Sequence, residues 1–170
     1  MLTFLFRRLT AEPACGAPLF AAVAAEARKP HWYVEGKAPD TIDGRFAMLA
    51  TIAGLMLVRL EREGERGNLA SVALTERFVD VMKVEHRELG LGDPALGKKV
   101  RKLVGSLAGR VELWRRTTPD RVEWVEATQR SVYKHEVSTD ALAHTAAALE
   151  ELWARLERAE LGKLIYGRLE

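Results

Sequence analysis

The sequence predicts an all-α protein, a single-domain bundle of about six to seven helices around one buried central helix. Three observations predict it. Ala, Leu, Glu and Arg dominate the composition, while Pro and Gly fall where helices would end. From Phe46 to Val58 the chain carries no charge, and a helix apolar on nearly every side must be enclosed by other elements. Leu96, Val100, Leu103, Leu107, Val111 and Trp114 recur every three or four residues, the spacing of a helix with one core-facing stripe. No segment shows a convincing strand pattern, an internal repeat or low complexity.

At 170 residues the chain can bury a sizeable core. It divides into an N-terminal amphipathic segment (1–12), a helical core (13–117) and C-terminal helices that pack on that core (118–170). With 26 basic and 24 acidic residues the net charge is only +2, so no global nucleic-acid footprint is declared. The single cysteine, Cys15, excludes an internal disulfide and fits a reducing compartment. Met1–Leu9 lacks the apolar run and cleavage site of a signal peptide, so the expected location is cytoplasmic.

The elements follow in order. Leu2, Leu5, Phe6 and Leu9 share a helical face beside Arg7 and Arg8, which suits either packing on the domain or resting at an anionic membrane interface. Pro18 fits the first turn of a helix running to about Arg28, stopped by Pro30. His31-Trp32-Tyr33 reads as an extended segment covering one end of the core. The central helix follows Pro39-Asp40-Thr41-Ile42-Asp43-Gly44-Arg45-Phe46, with Asp40 or Thr41 as N-cap. Arg45 opposes the helix dipole, so Asp40 or Asp43 should pair with it. Glu61–Gly67 reads as a solvated turn. A helix then starts at Asn68 or Ser71 and carries Leu74, Phe78 and Val81/Met82, ending at Gly90 in the left-handed position. Asp93-Pro94 restarts the chain as cap and first-turn proline. Thr118-Pro119 should start a helix bearing Val122, Val125 and Val132, and Ser138-Thr139-Asp140 the last long one, with Leu142, Leu149, Leu152 and Leu156. Leu164, Ile165, Tyr166 and Leu169 make an apolar tail.

Chemistry is sparse. His31, His86, His135 and His144 show no metal-ligand spacing, and there is no Walker loop, dinucleotide glycine fingerprint or nucleophile elbow. No catalytic constellation, metal site or cofactor site is therefore expected. Two features stand out: the turn Arg87-Glu88-Leu89-Gly90-Leu91-Gly92-Asp93, and the face of Lys98, Lys99, Arg101, Lys102 and Arg110 on the following helix. Such a basic face is either simply solvated or meets ribosomal RNA, anionic lipid or an acidic client.

The run Trp32-Tyr33 … Asp40-Thr41-Ile42-Asp43-Gly44-Arg45-Phe46, followed by Arg87-Glu88-Leu89-Gly90-Leu91-Gly92-Asp93, Gly97-Lys98-Lys99 and Gly109-Arg110, resembles the ubiquinol–cytochrome c chaperone family. The resemblance covers roughly residues 15 to 116 and departs from the usual pattern at Lys83 and around Gly109-Arg110. It implies a non-catalytic assembly factor for the respiratory ubiquinol–cytochrome c oxidoreductase. It also implies that cytochrome b is engaged while newly made, in mitochondrial relatives near the ribosome, and here at the cytoplasmic face of the inner membrane. Such a protein needs an apolar surface. The expected one is a groove near His31-Trp32-Tyr33, between the helices starting near 18 and 94, with Lys98, Lys99, Arg101 and Lys102 guiding an acidic or lipid-bound partner. The motif residues Asp40, Asp43, Arg45, Arg87, Glu88 and Asp93 either form an internal polar network joining helices or present a functional surface.

Overall fold

The computed structural model describes residues 13–169, and every regular element among them is a helix. In chain order these are α1 (Pro13–Ala27), α2 (His31–Val34), α3 (Ile42–Glu61), α4 (Gly64–Glu88), α5 (Asp93–Thr117), α6 (Trp124–Val132), α7 (Thr139–Arg158) and α8 (Leu161–Ile165). The all-α expectation holds. The amphipathic segment 1–12 and the Cys15 side chain lie outside the described part.

The apolar run forms the centre as expected. Every residue of α3 from Ala50 to Leu60 is buried, and α1, α4, α5, α6 and α7 all pack against it. The predicted stripe of α5 is buried in full. From α7, Leu149, Leu152, Trp153 and Leu156 complete the same core, which Leu164 and Leu169 close from the C-terminal end. One charged residue lies inside. Arg59 donates from Nε to the Leu156 carbonyl at 2.7 Å and from Nη2 to the Ala159 carbonyl at 3.0 Å, while Nη1 meets Glu63 at 2.6 Å. It thereby satisfies carbonyls at the end of α7 that have no partner within the helix.

Several boundaries differ from the sequence reading, each for a local reason. Helix α1 begins at Pro13, so Pro18 is internal and removes one bond in the opening turns. His31-Trp32-Tyr33 is a short helix, not an extended segment. Only Arg62 and Glu63 separate α3 from α4, because Gly64 takes φ +61 and reverses the chain at once; the charged stretch that follows is the solvated face of α4. Asp93 is not the cap of α5 but its first residue, with Gly92 as N-cap. Thr118-Pro119 starts no helix. Asp120 accepts the Val122 N–H, and Arg121 and Glu123 both adopt left-handed φ, so α6 waits until Trp124. Val122 and Val125 are left exposed. The cap at Gly90 is as expected: φ is +88, Gly90 N–H bonds Arg87 O, and Leu91 N–H bonds His86 O, a Schellman end. Ser138 caps α7, accepting from Ala141 N–H.

Candidate functional site

The site is built around the first two turns of α3, where the central helix emerges from the core. Thr41, not Asp40, is the N-cap, its Oγ1 accepting from Gly44 N–H at 3.1 Å. A Cβ at position 44 would overlap the Pro39 carbonyl oxygen, so glycine is what lets the preceding loop fold over the helix start. Arg45 pairs through Nε with Asp40 Oδ1 at 2.6 Å, and Asp43 Oδ2 takes Lys134 Nζ at 2.7 Å. Phe46 turns inward, its ring 6.0 Å from that of Phe78.

Two grooves flank this turn and share Asp43, Phe46, Lys99 and Leu103 as their dividing wall. The first, about 620 Å³, lies between α1, α3 and α4; Phe20, Ala24, Tyr33, Phe46, Leu49 and Met82 form its apolar wall, and Arg28, Asp40, Arg45, Glu85 and His86 also line it. Ile42 and Val34 stand at this groove and are 64% and 58% exposed. The second, about 520 Å³, is cationic: Lys37, Lys99, Lys102 and Lys134 line it, with Asp43 and Glu136 as its acids.

The charges behave as surface groups in strong local fields. Its hydrogen bond to Arg45 holds the Asp40 carboxyl below the usual range, and Asp40 in turn raises Arg45. The Lys134 bond lowers Asp43, helped by the charges of Lys99 and Lys102. Burial pushes the Tyr33 hydroxyl up, while that hydroxyl donates to the Ala27 carbonyl at 2.8 Å.

The structure corrects three expectations. Trp32 is fully buried, its Nε1 donating to the Glu26 carbonyl at 2.8 Å, so its indole is core and presents nothing to a partner. Tyr33 lines the apolar groove, whose second wall is α4; from α5 only Lys99 and Leu103 contribute. The internal polar network does not form. Asp40 and Arg45 are 61% and 67% exposed, Arg87 approaches Asp93 only to 3.9 Å in solvent, and Glu88 is exposed. Their place at helix ends leaves them in water, where ion pairs fix little.

The basic residues separate as well. Lys99 and Lys102 line the cationic cleft, whereas Lys98 and Arg101 are exposed elsewhere on α5. Gly109 is exposed, but Arg110 is turned inward: Nε and Nη2 donate to the Ser131 carbonyl at 3.0 and 2.7 Å. Burial pushes the Arg110 guanidinium pKa down. The Ser131 hydroxyl meets Thr51 Oγ1 at 2.7 Å and accepts from Trp114 Nε1 at 3.2 Å, so one serine ties α3, α5 and α6 together. Sequence reasoning missed this node. It also missed the contact of His31 Nδ1 with His144 Nε2 at 3.2 Å and the Asp43–Lys134 pair, because each joins positions far apart in the chain. Among the described residues no three His, Cys, Asp or Glu side chains gather as a metal site, and no helix is long and apolar enough to cross a membrane.

The family profile described as ubiquinol-cytochrome C chaperone matches residues 35–165. The chain belongs to the ubiquinol–cytochrome c chaperone family. The match runs past Thr117, through helices in which the sequence reading found no motif. The crystal structure of the Cbp3 homolog from Brucella abortus superposes with a TM-score of 0.77 at 26% identity, over 98% of this chain and 94% of that one. A search of curated proteins gives no match. The chain is thus a chaperone or assembly factor of ubiquinol–cytochrome c reductase, and its family implies dealings with components of that complex.

Proposed function

We propose that this chaperone holds newly made cytochrome b, without catalysing any reaction on it, until the protein joins ubiquinol–cytochrome c oxidoreductase. The observation that carries this reading is the apolar groove between α1, α3 and α4, walled by Phe20, Tyr33, Phe46, Leu49 and Met82. Its volume, about 620 Å³, suits one face of a client helix and not a whole membrane span. The exposed Ile42 and Val34 offer further apolar contact beside it. A groove with such an apolar wall needs no reactive group to capture and release such a segment. The place of action in this reading is cytoplasmic, at the membrane periphery.

The test is deletion of the gene in its own host, scoring cytochrome b and the assembled oxidoreductase in membranes. Selective loss of both, restored by the wild-type chain but not by Ile42→Asp, is the expected result. Unchanged cytochrome b, or full rescue by a groove variant, would overturn the reading.

A further inference from the structure

The cationic cleft has a charge excess that the fold does not use. Lys134 bonds the Asp43 carboxylate at 2.7 Å, and Lys99 and Lys102 lower the same carboxyl through space without an ion pair of their own among the described residues. Lys37 stands at the same cleft in a left-handed backbone conformation. These four lysines thus face two carboxylates, Asp43 and Glu136. Directly across the shared wall of Phe46, Ile42 and Val34 are exposed.

The combination selects among anions. A small free anion explains the lysines but not the apolar side chains exposed next to them. The flanks of a membrane-spanning client fit poorly, because on the cytoplasmic side they are rich in Lys and Arg, which this cleft repels. An anionic phospholipid surface answers both halves, offering phosphate to the lysines and an acyl boundary to Ile42 and Val34.

We propose that the cleft of Lys37, Lys99, Lys102 and Lys134 binds the headgroup phosphates of anionic phospholipids and lays the face bearing both grooves on a membrane. The apolar groove then opens toward the phase from which an apolar segment is taken or to which it is returned. The lipid contact does not depend on the client reading and is tested without any client.

The experiment is co-sedimentation of the full-length chain with vesicles of phosphatidylcholine containing phosphatidylglycerol, against vesicles of phosphatidylcholine alone. Binding only to the anionic vesicles, weakened by salt, is expected. Lys102→Ala/Lys134→Ala should weaken it about five-fold per lysine, on the order of twenty-five-fold for the pair. Lys98→Ala/Arg101→Ala removes the same charge from α5 outside the cleft and should cost far less. Equal losses from the two pairs would overturn the proposal in favour of diffuse attraction. Undiminished binding of the cleft variant would overturn it in favour of another surface, the segment 1–12 included. Displacement by millimolar inorganic phosphate, or by polyglutamate at matched ionic strength, would instead show a small-anion or acidic-peptide site.

Discussion

Replacing Arg110 by Ala separates a structural from a functional meaning of the Gly109-Arg110 pair. The guanidinium makes two hydrogen bonds to one carbonyl, Ser131 O, near the C-terminus of α6, at 3.0 and 2.7 Å. Without it that carbonyl keeps only Thr51 Oγ1 at 3.3 Å, a marginal bond. A buried acceptor left short of a partner costs about 1–3 kcal/mol. The methylenes beyond Cβ are lost too, while the Cβ that faces Gly54 is kept by alanine. Stem burial adds about 1 kcal/mol, and recovered hydration of the missing charge offsets part of the sum. The net is about 1–3 kcal/mol. For a domain of this size that lowers the thermal midpoint on the order of 5 °C. Circular dichroism melting of wild type, Arg110→Ala and Arg110→Lys is the assay, with the lysine variant expected between the other two. A midpoint for Arg110→Ala within about 2 °C of wild type would refute the reasoning, since the node would then carry no energy.

Other substitutions test the rest of the architecture. Arg59→Ala leaves the Leu156 and Ala159 carbonyls and Glu63 without their partner and should cost about 3–5 kcal/mol, read as loss of soluble, folded protein or a deep fall in midpoint. Gly109→Ala points into open space on an exposed helix face and should raise stability by about 0.5–1 kcal/mol; a lower midpoint would show a packing contact there. Arg45→Ala removes an exposed pair and should leave the melting curve unchanged, while any fall in assembled oxidoreductase would mark that surface as functional. His31, depressed below its ordinary value by burial and then by the charge of His144, makes stability fall with acid. As pH drops through about 6.5 the unfolded chain takes up the proton first, so stability is complete above that value and drains away toward the lower folded pKa. Glu26 and Glu35 oppose the shift and Lys29 supports it. Melting between about pH 7.5 and pH 5.5 should show the loss, and His31→Phe should flatten it.

What the sequence disclosed depended on the range of the interaction. The central helix was legible because thirteen uncharged residues from Phe46 to Val58 leave no solvated face. The stripe of α5 was legible for the same local reason. Arg110 could have been placed correctly, since it lies three residues after Leu107 and four before Trp114 and therefore on the buried stripe, while Lys98 and Arg101 lie on the opposite side. Val122 and Val125 misled because their spacing is helical, whereas the Asx turn at Asp120 and two left-handed residues decide the backbone. Trp32 read as part of a cover over one end of the core and is buried there, but its carbonyl partner on Glu26 is a fold property that no local pattern shows. At the site itself, the motif around Asp43 was visible, but Lys134 lies 91 residues away and no local pattern announces it.

The division of labour within the motif follows from where α3 is covered. From Ala50 to Leu60 the helix is enclosed, so its apolar length is open to a ligand over the first two turns. There Thr41, Gly44 and Phe46 are committed to the cap, the loop closure and the core, which leaves Ile42, Asp43 and Arg45 facing outward. A client or a lipid seated against these three residues meets the helix on which all the long helices pack, without opening the core. Variants at Ile42 or Lys102 should therefore lose binding and keep the fold. Variants at Arg59 or Arg110 should lose both together, because those side chains are the main partners of buried backbone carbonyls.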